Sequence, residues 1–149
     1  MIKKYFVPSQ DSMSLDKVHI IELSTIRDRR GNLSVIESND SIPFKVARTY
    51  WIYDVPGGAN RTGHAFRTQH EFIVALSGSF DVVIDDGTER KRFHLCRSYY
   101  GLYVPAMMWR ELDNFSTNSV AMVLSSTHYD AADYIEDYEQ YRKELNAHE

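Results

Sequence analysis

Apolar residues fall along this chain in short bursts separated by turn-forming residues. Val18 to Leu23 is a β-branched run, and Arg30-Gly31-Asn32 is a turn before a second run, Leu33 to Ile36. Val46 to Asp54 alternates, placing Arg48, Tyr50 and Ile52 on one face and Trp51 and Tyr53 on the other, and it stops at Pro56-Gly57-Gly58. Glu71 to Leu76 and Phe80 to Ile84 are apolar runs split by Ser77-Gly78-Ser79. Asp85-Asp86-Gly87 reads as a hairpin turn into Glu89 to Leu95, because Asp-Gly tolerates positive φ. Leu102 to Val104 and Ser119 to Ser125 complete the strands. Short strands at this spacing, with no helical period between them, predict an all-β sandwich or barrel.

Only the C-terminus changes period. Tyr134, Tyr138, Tyr141 and Leu145 fall on one stripe of an amphipathic helix over about 130–145, with Asp130 as its N-cap. The stripe is expected to dock the helix on the β-structure. A chain of 149 residues without repeats or a long linker is expected to form one domain, residues 1–149.

A net charge of −4 argues against a nucleic-acid binder and leaves room for a local basic site. Cys96 is the single cysteine, which excludes an internal disulfide and cysteine-based zinc clusters. It is expected to be a passive thiol. Met-Ile-Lys-Lys-Tyr-Phe-Val-Pro is a poor secretion signal, and no apolar run is long enough for a membrane helix, so the expected location is the cytoplasm.

The chemistry concentrates at Arg61-Thr-Gly-His64-Ala-Phe66-Arg67-Thr-Gln-His70-Glu71, followed by Gly78. His64, position 66, Glu71 and Gly78 have the spacing of a metal-binding β-barrel motif. Phe66 fills the second ligand slot and has no lone pair to give. The matching second half runs from Pro105 to Asn114, and its histidine slot holds Arg110, whose guanidinium repels a cation. The pattern therefore predicts metal-free chemistry. His64 is the titrating group, since an imidazole with a pKa near about 6.5 exchanges protons at neutral pH. Arg30, Arg48, Arg61, Arg67 and Arg110 lie near turns or in expected strands, and guanidinium pairs well with phosphate. Tyr50 and Tyr103 offer hydroxyls for a sugar oxygen or a proton relay. Glu111 and Asp113 are candidate partners for Arg110 or for a ligand. His70 is expected to point away from Glu71, and His19, His94, His128 and His148 carry no constellation.

At these residues the chain resembles the cupin superfamily. Within it, the chain is similar to the sugar-nucleotide 3,4-ketoisomerases that act on dTDP-4-keto-6-deoxyglucose. The resemblance runs from about Ile26 to Glu144. It rests on Asp28-Arg-Arg-Gly-Asn-Leu33, Ile42-Pro-Phe44, Arg48-Thr-Tyr50, Arg61-Thr-Gly-His-Ala65, Leu76-Ser-Gly-Ser79, Gly101-Leu-Tyr-Val104, Trp109 and Tyr129-Asp-Ala-Ala-Asp-Tyr-Ile135. It implies a cupin-type double-stranded β-helix, or jelly-roll barrel, that uses no metal or cofactor. It also implies a homodimer formed by exchange of N-terminal strands, and a dTDP-linked keto-sugar whose ketone moves from C4 to C3 through an enediol. The family's His-Ala-His motif is His64-Ala65-Phe66 here, and Arg110 stands where the compared pattern has histidine. The implied site is His64 with Tyr50 or Tyr103 as catalytic groups. Arg30, Arg48, Arg61, Phe66, Arg67, Arg110 and Glu111 would hold substrate. Three other readings stay open on the same residues: a dTDP-keto-sugar epimerase, a non-catalytic sugar-nucleotide binder or accessory subunit, and a metal-dependent oxygenase or carbohydrate sensor.

Overall fold

A computed structural model describes residues 14–147. The stretch read above for a secretion signal, and His148, lie outside them. The strands are β1 (His19–Glu22), β2 (Ser24–Ile26), β3 (Leu33–Val35), β4 (Arg48–Ile52), β5 (Arg61–Phe66), β6 (Glu71–Ser77), β7 (Phe80–Asp85), β8 (Arg90–Leu95), β9 (Tyr100–Val104), β10 (Trp109–Asp113), β11 (Val120–Ser125) and β12 (Tyr134–Ile135). One α-helix follows, α1 (Tyr138–Ala147). Among the described residues no helix is long and apolar enough to cross a membrane.

Ten strands form two antiparallel five-stranded sheets, in the orders β1-β9-β6-β11-β4 and β12-β5-β10-β7-β8, and β2 pairs with β3 as a separate hairpin. The all-β expectation holds, as a jelly roll of two facing sheets. The main core lies between them. Ile73 and Ala75 of β6, Leu102 and Val104 of β9, and Ala121 and Val123 of β11 meet Phe80, Val82 and Ile84 of β7 and Leu112 of β10. The intervening residues of the first sheet are also covered. Phe72, Val74, Tyr103 and Leu124 pack under Ile42 and Phe44 of the segment between β3 and β4. Burial on both faces explains why β6 reads as a continuous apolar run.

The short β2 was not evident in the sequence, and neither were two strands of the main sheets, β5 and β10. β5 carries Gly63 and His64, and β10 carries Arg110 at a fully buried position, so neither shows apolar alternation. Gly63 has a packing reason. A Cβ there would lie 2.4 Å from Trp109 Nε1, so the indole lies directly over the glycine. Gly78 turns the chain from one sheet to the other at φ +64°, and a Cβ there would meet Ser116 and Ser119.

The expected helix over 130–145 is corrected. Asp130 caps a short 3-10 turn at Ala131–Asp133 instead of an α-helix. Asp133 accepts hydrogen bonds from the backbone of Thr68 (2.8 Å) and Gln69 (3.1 Å). Tyr134 and Ile135 then pair with Phe66 and Ala65. These tertiary bonds pull the first turn of the apparent stripe into a strand. The α-helix starts after Asp137, whose carboxylate accepts from Gln140 N at 2.9 Å. Tyr138, Tyr141 and Leu145 dock it on Trp109, Ala65 and Ile135 as expected.

His70 points to the far side of the first sheet, away from Glu71. Its Nδ1 is 2.8 Å from the Tyr103 hydroxyl, and the two rings stack. Burial first, and the charge of Arg110 second, hold this imidazole below its ordinary value of 6.5. The unfolded chain therefore takes up this proton at a higher pH than the folded one. The resulting stability is fully present above about 6.5 and is lost as pH falls toward the folded value. Thermal melting at pH 7.5 and pH 5.5 checks this: the midpoint should drop on acidification, and His70→Gln should reduce that drop. An equal drop in the variant would exclude His70 as its source.

Candidate active site

A cavity of about 540 Å³ opens between the sheets. Its walls are apolar where Ile52, Ile73, Leu112 and Val123 face it, and polar at one end. β4 supplies Arg48 and Tyr50 through the alternation read from the sequence, with Trp51 turned outward and 58% exposed. β5 supplies Arg61, Gly63 and His64. A bulge makes this possible: Arg110 pairs with His64 and Leu112 with Arg61, so three steps on β5 oppose two on β10. The extra residue breaks strict alternation and lets Arg61 and His64 border one cavity.

His64 stands edge-on to Phe66, with ring centroids 5.0 Å apart, and 5.7 Å from the Tyr134 ring. Phe66 itself is fully buried and carries the Arg110 guanidinium 5.0 Å from its ring centroid. Arg110 and Glu71 are each 1% exposed and are joined Nη1 to Oε1 at 2.5 Å. Arg110 Nη2 also donates to the Met108 carbonyl at 2.9 Å. The other carboxylate oxygen of Glu71 accepts from Tyr50 (2.7 Å), Gln69 Nε2 (2.9 Å) and Ser125 (3.3 Å). A buried ion pair of this kind survives because its lone pairs are satisfied; removing one partner typically costs about 3–5 kcal/mol. Burial first, and the Glu71 charge second, hold the Tyr50 phenol well above its ordinary value, so it is protonated at neutral pH.

Arg48 and Arg61 are the cations left for a ligand, with the Glu136 carboxylate also in the cavity wall. Arg110 is neutralised by Glu71. Among the described residues, no carboxylate lies within ion-pair distance of Arg48 or Arg61. Arg48 donates only to neutral groups, Gln69 Oε1 (3.1 Å) and the Tyr134 hydroxyl (3.3 Å), and its buried Nε has no hydrogen-bond partner. The rings of Tyr50 and Tyr129 each lie 5.4 Å from this guanidinium. A divalent cation does not fit this donor set. Its two candidate ligands are His64 and Glu71, and Glu71 already holds a guanidinium.

The structure thus brings together His64, Tyr50, Arg48, Arg61 and Arg110, with Phe66 behind the histidine. It does not bring the other expected residues to this cavity. Tyr103 faces the opposite side of β9, because Leu102 and Val104 take the inward positions, and burial pushes its phenol up to about 12. Arg30 sits on an exposed turn and pairs with Asp28 at 2.9 Å. Arg67 pairs with Glu144 at 2.8 Å and donates to the Ala132 and Tyr134 carbonyls, tying β12 and α1 to β5. Glu111 faces outward, accepting from Trp109 Nε1 (3.1 Å) and Arg90 (3.4 Å); the partner of Arg110 is Glu71 instead. Asp113 likewise pairs outward, with Arg92. Arg110 is not free for an anion, since its charge is already matched. Three residues were missed: Gln69 and Tyr134, which position Arg48, and Glu136 in the cavity wall. Tyr134 was hidden by the false helical stripe. Gln69 had no sequence signal beyond its place two residues before Glu71.

A family model described as FdtA, WxcM-like, C-terminal, matches residues 16–146. A curated relative from Aneurinibacillus thermoaerophilus, TDP-4-oxo-6-deoxy-alpha-D-glucose-3,4-oxoisomerase, is 40% identical over 124 residues, 83% of this chain and 89% of its own. The WlaRB TDP-quinovose 3,4-ketoisomerase of Campylobacter jejuni superposes with a TM-score of 0.82 at 37% identity, covering 85% of this chain and 97% of its own. A mutant of the 3,4-ketoisomerase QdtA from Thermoanaerobacterium thermosaccharolyticum, in complex with TDP-4-keto-6-deoxyglucose, gives 0.85 at 32% identity, covering 87% and 94%. With the family model matched from β1 through α1 and these relatives spanned almost end to end, the chain belongs to the FdtA family of WxcM-like C-terminal domains.

Proposed function

We propose that this protein is a sugar-nucleotide 3,4-ketoisomerase that moves the ketone of dTDP-4-keto-6-deoxyglucose from C4 to C3. The observation that carries the reading is the shared cavity of His64, the protonated Tyr50 and two arginines without carboxylate partners. The names of the relatives support the same substrate and reaction. Arg48 and Arg61 supply the charge that a diphosphate needs. The C4 ketone acidifies the C3 hydrogen. His64 removes that proton, the C–H electron pair becomes the C3–C4 double bond, and the carbonyl pair moves onto O4. Tyr50 carries the hydroxyl proton from O3 to O4. His64 returns its proton to C4, and the ketone stands at C3. One imidazole serves both carbons because they are adjacent. Donors around the oxygens stabilise the enediolate, and the apolar walls strengthen them.

The same reading includes a homodimer in the cytoplasm, in deoxyamino-sugar biosynthesis. The β2–β3 hairpin supports the dimer, since it leaves Ile26, Leu33 and Val35 exposed on an element outside both main sheets. A second reading, a sugar-nucleotide binder without turnover, is favoured by one observation: Phe66 puts no proton-carrying group in the second motif position.

His64→Asn tests the leading reading. Turnover of dTDP-4-keto-6-deoxyglucose, followed by NMR of the sugar carbons, should fall by at least about 10²-fold, while dTDP binding by calorimetry should be unchanged. Turnover equal to the unaltered protein would remove His64 from the mechanism. Phe66→His should keep turnover within about tenfold or raise it, since the proton path runs through His64 and Tyr50. A loss larger than that, in a folded variant, would show that the phenyl ring under Arg110 is itself part of the machinery.

A further inference from the structure

The proton route just described leaves one buried group without a role. Glu71 is the first residue of β6, faces inward with Ile73, and is 1% exposed at the cavity floor. The ligand spacing marks it as a metal-slot carboxylate, yet its two oxygens are taken by four side chains: Arg110 on one, and Tyr50, Gln69 and Ser125 on the other. The shortest contact on that second oxygen is the Tyr50 hydroxyl at 2.7 Å. Tyr50 is the link between this network and the cavity. Gln69 is itself fixed from the far side by Thr127 at 2.7 Å, so the carboxylate cannot rotate without breaking several bonds.

We propose that Glu71 is the positioning residue of the isomerisation, fixing the Tyr50 oxygen between O3 and O4 of the sugar. The inference rests on the ketoisomerase reading. Tyr50 must swing its hydroxyl proton from Glu71 to O4 as it takes one from O3, and the proton it gains then donates to Glu71, so its own proton count returns to one and Glu71 is unchanged. A phenol that stood as phenolate would have nothing to give. The Glu71 charge and burial both oppose that state. The other groups facing Tyr50 act more weakly or in the opposite direction. Arg110 favours the phenolate, Tyr134 disfavours it, and Arg48 lies beside the ring; His64 borders the same cavity from β5. Arg110 then has a role without touching phosphate: it is the cation paired with Glu71 in a dry site.

The test is a double-variant cycle on the full chain with dTDP-4-keto-6-deoxyglucose, using Tyr50→Phe, Glu71→Gln and both together. Each single change should lower kcat by about 10²-fold with KM moved less than about threefold. The combined variant should be no slower than Tyr50→Phe alone, because Glu71 acts through that hydroxyl. A combined loss equal to the product of the single losses would overturn the proposal. If Glu71→Gln does not fold with Arg110 left uncompensated, Glu71→Gln with Arg110→Met removes both charges and takes its place. Tyr50→Phe should then cost at least about tenfold less in that background than in the unaltered protein, and an equal cost would overturn the proposal. Unaltered protein without turnover would sink the ketoisomerase reading and this inference with it. Turnover in the unaltered protein with additive losses would sink the inference alone.

Discussion

The ion pair between Glu71 and Arg110 is the interaction on which the rest of the site depends. It joins the two sheets, since Glu71 opens β6 and Arg110 lies on β10. Both groups are removed from water, and a lone charge in either position would be costly. The pair holds because Glu71 meets four donors and Arg110 gains the Met108 carbonyl and the Phe66 face. Phe66 and Arg110 therefore belong together. An aromatic face suits a guanidinium better than a second cationic ring would. The two departures from the histidine pattern are one packing solution, an internal cation seated on an aromatic face.

From that pair the polarity of the cavity follows. Arg110 is cancelled, so the free positive charge is displaced toward Arg48 and Arg61. Tyr50 is tied to the carboxylate and His64 borders the same cavity on the bulged strand. The fold supplies the rest. The bulge in β5 brings His64 and Arg61 to one space, and β12 caps the edge with Tyr134, whose hydroxyl accepts from Arg48.

Much of this was legible in the residues, for reasons that differ by strand. β4 announced its faces through the two-residue period of a strand, which puts Arg48, Tyr50 and Ile52 on one side and Trp51 on the other, as its alternating burial shows. β6 and β7 were evident because they are buried on both faces. β5 and β10 were silent because their inward positions are spent on His64 and Arg110, which break the apolar pattern that marks a strand. The helix was drawn too long because Tyr134 falls by coincidence four residues before Tyr138, and no local signal reports the Asp133 bonds to Thr68 and Gln69. Tyr103 was recoverable: Leu102 and Val104 flank it, and their inward parity turns it out. The Glu71 network was not recoverable, because its partners come from three other strands and the loop that precedes β6.

The central claim is that His64 exchanges a carbon-bound proton of a keto-sugar held in this cavity. Incubation of the unaltered protein with dTDP-4-keto-6-deoxyglucose in deuterated water, read by proton and carbon NMR, addresses it most directly. The expected result is the ketone carbon at C3, with the hydrogen at C4 coming from the sugar's own C3 position, from solvent deuterium taken up at His64, or from both. A sugar that binds and leaves with its C3 hydrogen intact and its ketone still at C4 would contradict it.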